Sequence, residues 1–176
     1  MADDVMRKLA EDHLLISCEG SAEEVIINKL IEGRSLVFPK EHVIAVTRKR
    51  KAAEIQDEFL NYDYDWPVSV VRIHDSRKEA FKLGNLYRDR YAVIDVITHP
   101  EIDVLAVLRE NKWEHWKKTG KKPSEYCKSE LRMADIKRTR FLEEYWDVDG
   151  IVSASREYRR MSQLRKGELC LADILR

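Results

Sequence analysis

LLISCEGSAEEVIINKLIE, residues 14–32, decides how this chain is read. It opens with an apolar run, broken by Ser17, of the kind a strand buried on both faces carries. Glu19-Gly20 follows. Then Val25, Ile26, Ile27, Leu30 and Ile31 fall at the spacing of a largely buried helix. Ser21 with Glu24 forms a capping-box pattern, and Gly33 marks the helix end. Gly20 serves the turn and Ser21 already offers a cap, so Glu19 is a carboxylate the turn does not require. It either favours the helix N-terminus electrostatically or does chemistry there.

The same alternation continues outward. Residues 43–47 read as a strand and 51–60 as a helix. Residues 68–73, apolar and β-branched, are the best strand in the chain. A helix is expected over 77–90, a strand over 91–97, and a helix from Thr98 to about residue 118. Ser76 with Glu79 and Thr98 with Glu101 repeat the capping-box pattern. The expected fold class is therefore α/β, with a mainly parallel, Rossmann-like sheet flanked by helices. After Gly120 the pattern is helical only, over 124–131, 133–145 and 151–166. The expected organisation is an α/β domain at 13–118 and a helical extension at 119–176 packed on it as one unit. Residues 1–12 read as a short helix or a frayed arm. The closing CLADILR is apolar enough to dock.

Composition narrows the function. The 176 residues are 44% apolar and 36% charged, with Lys+Arg and Asp+Glu at 32 each, so whole-chain charge points to no acidic partner. No apolar run is long enough to span a bilayer, and the charged N-terminus does not read as a signal peptide. No membrane association is expected. Cys18, Cys127 and Cys170 are far apart and lack zinc spacing, which fits reduced thiols and a cytoplasmic location. No nucleophile elbow or Gly-rich phosphate loop is present, which argues against an acyl hydrolase or a P-loop enzyme.

Acids sit where strands end. The first strand runs into Glu19 and the third into Asp75, while Glu101 and Asp103 follow the fourth. In open α/β sheets ligands collect at the carboxyl ends of strands. Neighbouring carboxylates there would suit Mg²⁺ or Mn²⁺, and through it phosphodiester chemistry. Helix capping explains each acid singly, and His74 and His99 flank the same edge. A second feature is local charge. Residues 112–140 hold ten Lys/Arg and four acids, interleaved with Trp113, Trp116 and Tyr126. Lys117, Lys118, Lys121 and Lys122 would contact phosphates and the aromatics would stack on bases. The bland alternative is a solvated loop with tryptophans packed on the core.

LLISCEGSAEEVI and VSVVRIHDSR resemble the first and later motifs of Toprim domains, the topoisomerase–primase catalytic fold. The order CEG, Asp75, THPEID resembles the RloB-like branch found in bacterial, including phage-defence, loci and related to the nuclease domains of OLD proteins. That resemblance implies a metal-dependent nuclease acting on DNA or RNA. Glu19, Asp75 and Asp103 would be catalytic, and Glu19, Asp75, Glu101 and Asp103 would be metal ligands. The chain departs from the pattern at Arg77, which replaces the second Asp of Asp-x-Asp, and at Asp103, where the branch prefers Glu. Glu79 is a candidate substitute. Arg77 would bind phosphate in place of metal, or mark a degenerate site that serves as an interaction module for an ATPase or other protein from the same locus. A third reading leaves the acids as caps on an unrelated α/β fold.

Overall fold

The structure, a computed structural model, describes residues 2–176. Helix α1 (Ala2–Glu11) leads into β1 (His13–Cys18), α2 (Ser21–Glu32), a 3₁₀ turn (Lys40–His42) and β2 (Val43–Thr47). Helix α3 (Ala52–Ile55) continues as a π turn (Gln56–Leu60) before β3 (Val68–His74), α4 (Asn85–Arg88) and β4 (Ala92–Ile97). Helices α5 (Val104–Arg109), α6 (Trp113–Thr119), α7 (Pro123–Ser129), α8 (Thr139–Tyr145) and α9 (Val148–Met161) follow, then a 3₁₀ turn at Leu171–Ile174.

The four strands form one sheet in the order β2-β1-β3-β4, and every pairing is parallel. Each crossover must return the chain to the same end of the sheet, so an intervening segment packs on one face or the other. The larger core lies on the face that carries Leu14, Ile16, Val71, Ile73, Ile94 and Val96 beneath α2, α5 and α9. The opposite face is covered more thinly. There Leu15, Val68 and Val70 meet Ile55, Leu60, Leu83 and Tyr91. Strand β3 is central and buried along its whole length, as its near-continuous apolar run requires. Ser69 and Arg72 on it are paired. Ser69 Oγ donates to Asp12 Oδ2 at 2.6 Å, and Arg72 is held by Asp95 and Glu79.

The strand expectations hold, but several helices are shorter than the spacing implied. Residues 77–90 form a helix only at Asn85–Arg88, because Glu79, Phe81 and Leu83 are drawn down onto the sheet instead. The helix expected from Thr98 is split into α5 and α6 at Asn111, which takes a left-handed backbone with φ of 55°. The peptide His99–Pro100 is cis. The region 133–145 is helical only at Thr139–Tyr145. None of the three capping boxes forms. Helix α2 starts without a side-chain cap, and Ser21 Oγ donates to the Lys137 carbonyl instead. Glu24 pairs with Arg48 at 3.3 Å. Thr98 lies ahead of α5, with its hydroxyl buried and unpartnered.

The helical extension shares the main core. Ile136, Leu142, Trp146, Ile151, Ala154 and Tyr158 belong to the same apolar cluster as the sheet residues. The final segment docks as expected: Ile97 N donates to Leu169 O at 2.7 Å, and Val37 N donates to Ile174 O at 2.9 Å. Among the described residues no helix is long and apolar enough to cross a membrane.

Candidate functional site

The strand order places the topological switch point between β1 and β3, since β2 lies on one side of β1 and β4 beyond β3. A crevice opens at the carboxyl end of such a point. Glu19 and Asp75 leave β1 and β3 on either side of it. Backbone pairing runs one residue past the strands there: Glu19 N donates to Ile73 O at 3.0 Å and Thr98 N to His74 O at 2.9 Å. Glu19 Oε2 then accepts the Asp75 backbone N–H at 2.8 Å, while Oε1 pairs with Arg50 at 3.0 Å. The surplus carboxylate is thus a tie between two strand ends and one guanidinium.

The expected acids do gather at this edge. Burial, then Glu19 and Glu101, push the Asp75 carboxyl up to about 6, with Arg50 opposing. Asp103 is buried beneath Lys137, whose ammonium contacts Oδ2; Oδ1 is buried without a partner. Burial raises the Asp103 carboxyl above its usual range even though Lys137 pulls the other way. Glu101 Oε2 accepts the Ser124 N–H at 2.9 Å, which ties the first turn of α7 to the acid edge. His99 approaches the Asp75 carbonyl through Nδ1 at 3.3 Å.

The carboxylates do not form a metal cage as arranged. Among the described residues no three His, Cys, Asp or Glu side chains are placed to hold a metal ion. The reason is visible in their partners: Glu19 is held by Arg50 and a backbone amide, Asp103 by Lys137, and Glu101 by α7. Arg77 does not face these acids. Its guanidinium reaches Glu168 at 2.9 Å and the Gln163 carbonyl at 3.2 Å, which secures the C-terminal segment.

Of the candidate phosphate ligands, Lys117 lies over the rings of Trp113 and Trp116 at 5.8 and 5.7 Å. Lys118 and Lys122 are exposed. Lys121 is tied to Glu130 at 2.6 Å, while its carbonyl accepts the Trp116 indole N–H. Trp116 is therefore a packed residue, and Trp113 is half-buried beside it.

Sequence reasoning missed four participants. Glu23 is buried on α2, where burial pushes its carboxyl up to about 7, with Asp103 and Glu19 adding to the rise. Arg50 follows β2 in a basic run that reads as a solvated helix start. Arg72 and Asp95 sit opposite each other on β3 and β4. An Arg and a His two residues apart on a largely apolar central strand were the available signal, because a buried charge demands a partner. No protein-family model, curated protein or solved structure matches this chain.

Proposed function

We propose that this chain is a Toprim-like domain that binds the phosphate backbone of nucleic acid through α6 and α7 and does not cleave it. The carrying observation is the distribution of unpaired charge. Among the described residues, thirteen of the seventeen arginines but only five of the fifteen lysines pair with a carboxylate, and half of the ten unpaired lysines fall within residues 112–128. Lys112, Lys117, Lys118, Lys122 and Lys128 enter none of the ion pairs, and all five are exposed on one stretch. Cations left without internal partners are free to replace the condensed counterions of a nucleic acid. Trp113 beside Lys117 offers a ring for stacking. Cleavage is not part of this reading, because Arg50 and Lys137 neutralise Glu19 and Asp103, two of the four expected metal ligands.

Fluorescence anisotropy with single-stranded DNA, duplex DNA and RNA over a salt series tests the reading. The expected result is salt-dependent binding. In K117Q/K118Q/K122Q the log–log salt slope should fall by about one per lost phosphate contact. Binding that the triple variant leaves unchanged would defeat the surface assignment. Incubation of the same substrates with Mg²⁺ or Mn²⁺ is the second arm. Cleavage lost in Asp75→Ala would restore the metal-dependent nuclease. Absence of both binding and cleavage would leave an interaction module for a protein partner.

A further inference from the structure

On the thinly covered face of the sheet, two guanidinium groups converge on one carboxylate. Glu79 Oε2 accepts from Arg72 at 2.7 Å and Oε1 from Arg50 at 3.4 Å. Arg72 is buried. It is fixed by Asp95 at 2.9 Å and by the Phe81 ring, 4.3 Å from its guanidinium carbon. His74 closes the same recess: Nε2 lies 3.0 Å from Asp95 Oδ1, and Nδ1 is buried and unpartnered. Ser17, Glu19 and Ile73 complete the lining.

We propose that Arg50, Arg72 and His74 form an anion pocket for a phosphate group, and that Glu79 is its internal occupant. Two planar forks aimed at one set of oxygens is the arrangement that recognises phosphate as well as carboxylate. The free space among these side chains is about 10 Å³, about the room of one water molecule. A phosphate therefore enters only by displacing the Glu79 carboxylate.

The segment that carries Glu79 is built to be displaced. Residues 76–83 contribute no backbone-to-backbone hydrogen bond among the described residues. They are held by side chains instead. Arg77 pairs with Glu168 at one end, Phe81 covers Arg72, Leu83 packs in the smaller apolar cluster, and Gln56 Oε1 accepts the Gly84 N–H at 2.6 Å at the other end. A strap without backbone pairing opens at lower free energy than the strands beneath it. When it lifts, Arg72 keeps Asp95 and Arg50 keeps Glu19, so both cations stay oriented. The pocket lies on the opposite side of the sheet from Glu23 and Asp103 and does not depend on the α6–α7 surface.

The test is calorimetric titration of the purified full chain with inorganic phosphate at matched ionic strength, for the wild type and Glu79→Ala. Removal of the occupant should tighten phosphate binding at least about tenfold, as expected when a charge-assisted competitor is lost. Adding Arg50→Gln to Glu79→Ala should reverse that gain. A 5′-phosphorylated oligonucleotide compared with its 5′-hydroxyl form distinguishes a nucleic-acid end from free phosphate as the source. Equal phosphate affinity in wild type and Glu79→Ala overturns the pocket, whether or not nucleic acid binds at α6 and α7. Should Glu79→Ala fail to fold, hydrogen exchange of the wild type decides. Phosphate in place of chloride should speed exchange of the amides at 78–83, and unchanged rates would overturn the proposal equally.

Discussion

Glu23 shows how one residue carries a cost the fold tolerates. Its carboxyl is buried between α2 and the acid edge and holds its proton up to about 7, against an ordinary value of 4.5. Between those values the folded chain binds more protons than the unfolded chain, so stability falls as pH rises through the window. Above it, ionised Glu23 costs on the order of 3 kcal/mol. Glu23→Gln keeps the shape and removes the ionisation. The variant should match the wild type in urea unfolding near about pH 4 and exceed it by up to about 3 kcal/mol near about pH 8. An offset that is the same at both pH values would mean that hydrogen bonding and not charge separates them. The sequence made Glu19 visible because it stood outside the needs of its turn. It hid Glu23, which looked like an ordinary first-turn acid, because only the arrival of Asp103 and Lys137 from distant positions makes that place buried.

At the scale of elements, what was legible depended on where the stabilising contacts came from. Strands β1, β3 and β4 announce themselves through runs of apolar and β-branched residues, because burial on both faces is a property of the strand's own sequence. The stretch at 77–90 does not, since its fate is set by Arg72 on another element, which takes Glu79 and Phe81 as partners and keeps the chain from coiling. Local capping patterns misled for the same reason. Among the described residues, the side-chain cap that forms at a long helix is Asp147 on α9. Its Oδ1 accepts the Gly150 N–H at 2.7 Å while Oδ2 accepts from Arg109 at 2.7 Å, which holds the carboxyl below its usual range. Arg109 in turn lies over Tyr145 and Trp146. Asp147→Ala should lower stability by about 1–2 kcal/mol through the lost cap. Helix propensity alone would give Gly150→Ala about 1 kcal/mol of added stability. The variant should instead gain nothing, because a Cβ there meets the Arg109 guanidinium carbon at 2.8 Å. Thermal melts of the two variants check both statements, and a raised melting temperature for Gly150→Ala would show that Arg109 moves aside freely.

At the scale of the whole molecule, the expected division at residue 118 is a change of pattern and not a boundary between cores. The sheet, α5, α9 and the last eight residues share one apolar cluster. Leu169 extends the edge of β4 in parallel pairing, and Leu175 bridges to Leu36 in the segment between α2 and β2, so the tail joins the β4 edge to the segment that follows α2. Leu171, Ile174 and Leu175 are all buried. At about 1.5–3 kcal/mol for each side chain, their contribution is of the same order as the roughly 5–15 kcal/mol that stabilises a typical domain. A chain ending at residue 168 should therefore lose its near-ultraviolet dichroism and its cooperative melt. Ile174→Ala in the full chain should cost about 2–5 kcal/mol and leave the fold intact. If the shortened chain melted like the full one, the helical extension would be an accessory to a self-sufficient α/β domain. If it unfolds, the extension is as much a part of the core as β3, and the basic surface of α6 and α7 is held rigidly against the acid edge by the same packing that makes the sheet stable.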